Sequence, residues 1–144
     1  RTKIEGKAEP LKSMEDLMML YDMTGVCKFS RGLMFETGLL ELTNAITGLN
    51  MSKSEFMESG ERVFNISKAF NLREGIAKSQ DTLPDRVFEE PALYGPTEGE
   101  TLSKSKFRRE LERYYEERGW NEEGVPSDTT LDRLELPEIK ADLS

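Results

Sequence analysis

Apolar residues in this chain recur at spacings of three and four, and most such runs close on a glycine. That period belongs to helices with one buried face. Period-two alternation of useful length occurs nowhere, so strands are not expected and the fold class reads as all-α. Ser13-Met14-Glu15-Asp16 has the spacing of a capping box, after which Met14, Leu17, Met18 and Tyr21 share a face up to Asp22. Gly25 then supplies the left-handed stop. A second helix is expected from about Leu33, through Phe35, Leu39, Leu42, Ala45 and Ile46, to Thr47-Gly48. Ser52 with Glu55 opens a third, which carries Phe56, Val63, Ile66 and Phe70 towards Asn71, and these aromatics are expected in the core.

Residues 72–100 lose the period and gather prolines and glycines. They read as a long irregular loop in which Arg73 and Arg86 pin the chain to nearby carboxylates and carbonyls. The helical pattern returns at Ser105 with Phe107, Leu111, Tyr114 and Tyr115, and Arg118-Gly119 ends it. Trp120 is expected to fold back on that helix. Pro126-Ser127-Asp128 starts a last helix through Leu131 and Leu134. The whole reads as one helical domain over 1–144, with an entry strap at 1–12, a loop-rich region at 72–100 and a polar tail at 137–144.

Charge narrows the possible partners. With 28 acidic against 20 basic residues the net charge is -8, which repels a phosphate backbone, so nucleic acid is not expected as a partner. The basic group Lys104, Lys106, Arg108 and Arg109 runs directly into Glu110, Glu112, Glu116 and Glu117 and reads as a solvated helix face. No apolar run approaches the roughly 18 residues of a membrane span, and the expectation is a soluble cytoplasmic protein. Because the chain opens on Arg1, it is expected to be a piece of something longer. Histidine is absent. That removes the usual general base, the histidine-activated nucleophiles and the commonest zinc ligand.

The chemical interest therefore falls on Asp22-Met23-Thr24-Gly25-Val26-Cys27-Lys28, which holds the single cysteine. A carboxylate, a glycine and a thiol at a helix end offer one bound object an acceptor, bare backbone and a soft ligand. The same residues also suit a plain reading, with Cys27 a small buried thiol that behaves as a hydrophobe.

The order of landmarks along the chain goes further. Asp22-x-x-Gly25-Val26-Cys27 is followed by Ile46-Thr47-Gly48, Gly60-Glu61-Arg62, Phe70-Asn71-Leu72-Arg73-Glu74-Gly75, Asp81-x-Leu83-Pro84-x-Arg86, Tyr114-Tyr115-x-x-Arg118-Gly119-Trp120 and Gly124-x-Pro126. In this order they resemble the C-terminal part of the tungsten-containing aldehyde ferredoxin oxidoreductases. The resemblance implies that Asp22, Gly25, Val26 and Cys27 form the second of two pterin-binding motifs. Val26 stands where leucine is usual. It implies a tungsten (or molybdenum) bis-pyranopterin and a 4Fe-4S cluster, with Cys27 one of four cluster thiolates.

The other three thiolates, the first pterin motif and the catalytic residues would lie in an N-terminal remainder, leaving none of the catalytic residues here and the isolated 144-residue piece inactive. The parent would oxidise a small aldehyde and pass electrons to ferredoxin. Two rivals stand beside this: a related tungsten subunit acting on another substrate, such as an aromatic acyl thioester, and a non-catalytic helical interaction module.

Overall fold

The computed structural model describes residues 4–32 and 35–143, so the expected helix start at Leu33 lies outside the described residues. Among the described residues seven α-helices follow one another: α1 (Ala8–Thr24), α2 (Glu36–Thr47), α3 (Lys53–Arg73), α4 (Arg86–Glu89), α5 (Lys104–Arg118), α6 (Asp128–Arg133) and α7 (Pro137–Leu143). Short 3₁₀ turns lie at Lys28–Gly32 and Lys78–Gln80. Among the described residues the only extended pairings are two isolated bridges, Ala92 with Glu98 and Trp120 with Pro126. The fold is all-α, as the periodicity requires.

Helix α1 is the centre. It packs on α3 and α5 along its length and meets α2 as well. Leu17, Leu20 and Tyr21 of α1, Leu39 of α2 and Phe56 of α3 form the principal apolar core, with Met18 and Val26 against its edge. The approach of α1 to α3 is close because Gly60 has no side chain: a methyl there would overlap the carbonyl oxygen of Asp16. A second cluster, Leu131, Leu134 and Leu136, is completed by Ile139 and Leu143 of α7, and α7 packs on α3.

Three expectations about the helices are corrected. Helix α1 begins at Ala8 instead of Ser13, so the entry strap at 1–12 ends near Lys7 among the described residues. Pro10 sits in the first turn, where its missing N–H costs nothing. The cap comes from elsewhere in the chain: one carboxylate oxygen of Glu110 in α5 accepts from the amides of Lys7 at 2.7 Å and Ala8 at 3.2 Å. The polar tail at 137–144 is helical over Pro137–Leu143, because Ile139 and Leu143 have the Leu131–Leu136 cluster to cover. In α3, Phe56 is core but Ile66 and Phe70 are exposed, and the buried face instead carries Glu61, Asn65 and Lys68.

That polar face belongs to a buried ion network. Arg118, with no exposed surface, donates to Asp16 Oδ1 at 2.5 Å, to Glu15 Oε2 at 2.6 Å and, through Nε, to the Tyr114 hydroxyl at 3.0 Å. Its guanidinium lies 3.7 Å from the Phe64 ring centroid. Lys12 joins Asp16 at 2.9 Å to Glu61 at 3.3 Å, and Arg133 grips Glu61 with both terminal nitrogens at 2.7 and 3.2 Å. Trp120 does fold back: it donates to Asn65 Oδ1 at 2.8 Å and packs against Tyr114 and Tyr115.

The loop-rich region keeps its irregular course around α4 and the 3₁₀ turn. Its pins run opposite to the expected polarity. Asp81 accepts from Lys68 at 2.9 Å and from the Tyr115 hydroxyl at 2.7 Å, and Asp85 pairs with Lys104 at 3.1 Å. Arg73 meets only its exposed neighbour Glu74 among carboxylates of the described residues.

Candidate functional site

The segment from Asp22 to Arg31 leaves the end of α1 and folds back on itself. Helix α1 ends at Thr24 because Gly25 takes φ 70°, and the Gly25 amide donates to the carbonyl of Asp22 at 3.3 Å. Nothing lies within 4 Å of where a Gly25 side chain would begin, so its backbone is open to an approaching group. Val26 turns inward and packs on the Leu17–Phe56 core. Cys27 is exposed and its thiol is free. The reading of Cys27 as a buried hydrophobe is therefore excluded for the chain as described.

The backbone beyond the thiol is fixed. The Cys27 carbonyl accepts from the Ser30 amide at 2.9 Å and from the Ser30 hydroxyl at 2.6 Å, which starts the 3₁₀ turn. Across the loop, Lys28 Nζ sits 2.7 Å from Asp22 Oδ2, with both side chains about half exposed. Phe29 beside them is 94% exposed. Asp22, Gly25 and Cys27 are thus all exposed along one short edge of the chain, which Val26 anchors to the core.

This edge lies apart from the main cleft among the described residues. An apolar cleft of about 570 Å³ runs between α1, α3 and α5 past Leu11, Phe64, Phe107 and Leu111, and its wall on α1 stops at Met19. Asp22 to Lys28 take no part in it. Nor do three or more Cys, His, Asp or Glu side chains converge on a metal-sized point among the described residues. One soft thiol and one carboxylate are what this edge offers, so a metal centre here needs ligands from another segment.

Several features of the structure had no local signature. Lys28 stands out in the sequence only as the residue after the cysteine, and its pairing with Asp22 depends on the turn at Gly25. Around the Arg118 network, burial pushes the Tyr114 hydroxyl well above its ordinary pKa, and its bond to Glu15 adds to this. Glu61 moves the other way. Burial works to raise its pKa, but Arg133 and Lys12 together hold it below the usual carboxylate range.

Comparison with known proteins finds matches over most of the chain. The family model described as "Aldehyde ferredoxin oxidoreductase, domains 2 & 3" matches residues 1–136. A tungsten-containing aldehyde ferredoxin oxidoreductase of Pyrococcus furiosus is 33% identical over 136 residues, covering 94% of this chain and 22% of the relative. The protein of the same description from Pyrococcus abyssi is 34% identical over 126 residues, 87% of this chain and 20% of the relative. A Pyrococcus furiosus protein described as "Aliphatic sulfonate oxidoreductase, WOR-like subunit" is 29% identical over 129 residues, 85% of this chain and 20% of the relative. The chain spans about a fifth of the length of these curated relatives. No helix among the described residues is long and apolar enough to cross a membrane.

Proposed function

The chain belongs to the aldehyde ferredoxin oxidoreductase family, and from that premise we propose that its Asp22–Cys27 edge is one wall of a cofactor site shared with the rest of a larger tungsten enzyme. The exposure of the Cys27 thiol carries this reading. A lone cysteine kept at the surface beside an open glycine gains nothing from packing, whereas a thiolate ligand must be reachable.

The residues fit a pyranopterin and a 4Fe-4S cluster by their donor chemistry. Asp22 offers carboxylate oxygens to an amino group beside a ring N–H, a two-donor edge that suits such an acceptor. Gly25 leaves the main chain uncovered where a planar ring would approach. Val26 holds the loop to the core, so its departure from the usual leucine touches packing alone. Cys27 supplies one soft thiolate, and the remaining three of a four-thiolate set come from the remainder of the parent. The single-domain reading of 1–144 is part of the same proposal.

When bound, a tungsten (or molybdenum) bis-pyranopterin with its cluster supplies two-electron oxidation and passes those electrons on singly. The net reaction we assign to the parent is aldehyde plus water giving carboxylic acid, two protons and two electrons, with ferredoxin as acceptor. This chain's share is to anchor and to orient, and alone it is inactive. A reducing cytoplasm suits the free thiol. A second reading keeps the site and changes the substrate. The likeness to a subunit whose description concerns aliphatic sulfonate favours it.

The test is metal analysis of the full-length parent purified without oxygen. Cys27→Ser is expected to lower iron per protein sharply while the helical signature stays. Iron and tungsten contents equal to the unaltered protein would reject the cofactor wall and favour a non-catalytic helical module.

A further inference from the structure

Asp22 occupies an awkward place. It lies in the last turn of α1, where the partial negative charge of the helix end repels a carboxylate, and that turn contains no basic residue of its own. The cation comes from beyond the cap: Lys28 reaches back to Oδ2 of Asp22 at 2.7 Å. The other carboxylate oxygen, Oδ1, takes no hydrogen bond from a described residue. A pair this exposed contributes little to stability, so the fold does not require it.

The backbone on both sides is already held without that pair. Gly25 is fixed by the helix cap, and the Cys27 carbonyl by the amide and hydroxyl of Ser30. What the ion pair adds is the direction of the Asp22 side chain. We propose that Lys28 is a positioning residue for Asp22, holding Oδ2 so that Oδ1 stays presented at the open edge to the donor edge of the pterin. The inference rests on the cofactor reading above. A carboxylate has lone pairs for both partners, so Lys28 does not have to leave when a ligand arrives. Covering the edge removes water from around the pair and strengthens it.

The experiment uses the full-length parent, produced with tungstate and handled without oxygen, in three variants: Asp22→Asn, Lys28→Met and Lys28→Arg. Pterin retained after long dialysis is released, oxidised and read by fluorescence per protein, with iron measured alongside. Asp22→Asn and Lys28→Met are each expected to lower retained pterin roughly tenfold, the lower end of what losing an outer partner costs a bound metal group. Lys28→Arg restores it, and Lys28→Met keeps its iron, because Ser30 and not Lys28 fixes the backbone at Cys27.

Full pterin in Lys28→Met, with pterin lost in Asp22→Asn, overturns the role of Lys28 and leaves the cofactor reading standing. Full pterin in Asp22→Asn removes that reading and this inference together. Loss of iron along with pterin in Lys28→Met, or failure of arginine to rescue, assigns Lys28 to the general shape of the loop and also overturns the proposal.

Discussion

Replacing Arg118 by methionine removes the charge at the centre of the ion network while keeping an apolar stem of similar length. The guanidinium is fully buried, and its partner Asp16 has only 4% of its side chain exposed. Breaking a buried pair from one side costs about 3–5 kcal/mol, because the charge left behind is uncompensated. Asp16 retains Lys12 at 2.9 Å, and Glu15 is 30% exposed and can hydrate, so the lower end of that range applies. Loss of the stack on Phe64, at 3.7 Å, adds about 1–2 kcal/mol in a desolvated setting. A net loss of about 4 kcal/mol is expected.

Urea unfolding of the 144-residue chain, followed by the fluorescence of Trp120 beside the network, reads this directly. With a slope of about 2 kcal/mol per molar urea, the midpoint falls by roughly 2 M. The double variant with Asp16→Asn is expected to be less damaged than the sum of the two singles, by about 1–2 kcal/mol, since it no longer buries an orphan charge. A loss under about 1 kcal/mol in the single variant, or strict additivity in the double, would refute the account of Arg118 as the tie between α1 and α5.

Gly60→Ala separates local from tertiary effects. Helix propensity alone favours alanine by about 1 kcal/mol, whereas overlap with the Asp16 carbonyl predicts a net loss of about 1–3 kcal/mol in the same urea experiment. Acid sensitivity is expected from Glu61, whose pKa is lower folded than unfolded. As pH falls, the unfolded chain takes up that proton first, so the contribution is whole above the unfolded value of about 4.3 and drains away below it. Thermal unfolding from about pH 6 to about pH 3 should fall less steeply in Glu61→Gln than in the parent chain, and parallel curves would contradict the assignment.

Much of the fold was legible because the signals are local. The caps at Gly25, Gly48 and Gly119, the Ser52–Glu55 capping box and the return of Trp120 onto Tyr114 and Tyr115 all stand where spacing puts them. Each joins residues that are neighbours within a turn or two, and such pairings leave a pattern in the sequence. The aromatic face of α3 was misread for the same reason. Helical spacing says that Ile66 and Phe70 share a side with Phe56, but it does not say whether a neighbour reaches that far along the helix.

By itself, then, the sequence determined an all-α chain, the ends of most of its helices and the family it belongs to, and it singled out the short segment proposed above as the cofactor wall. Only the tertiary structure decided the start of α1, which waits on a carboxylate 103 residues away, and the partners of Arg118, which lie on α1 at a similar separation. It also decided that the thiol of Cys27 faces outward and that Lys28 reaches the Asp22 carboxylate. The physical reason is one of range. Periodicity and caps are set by backbone geometry over a few residues, whereas burial and long ion pairs exist only once distant helices have met, and no spacing in the sequence records that meeting.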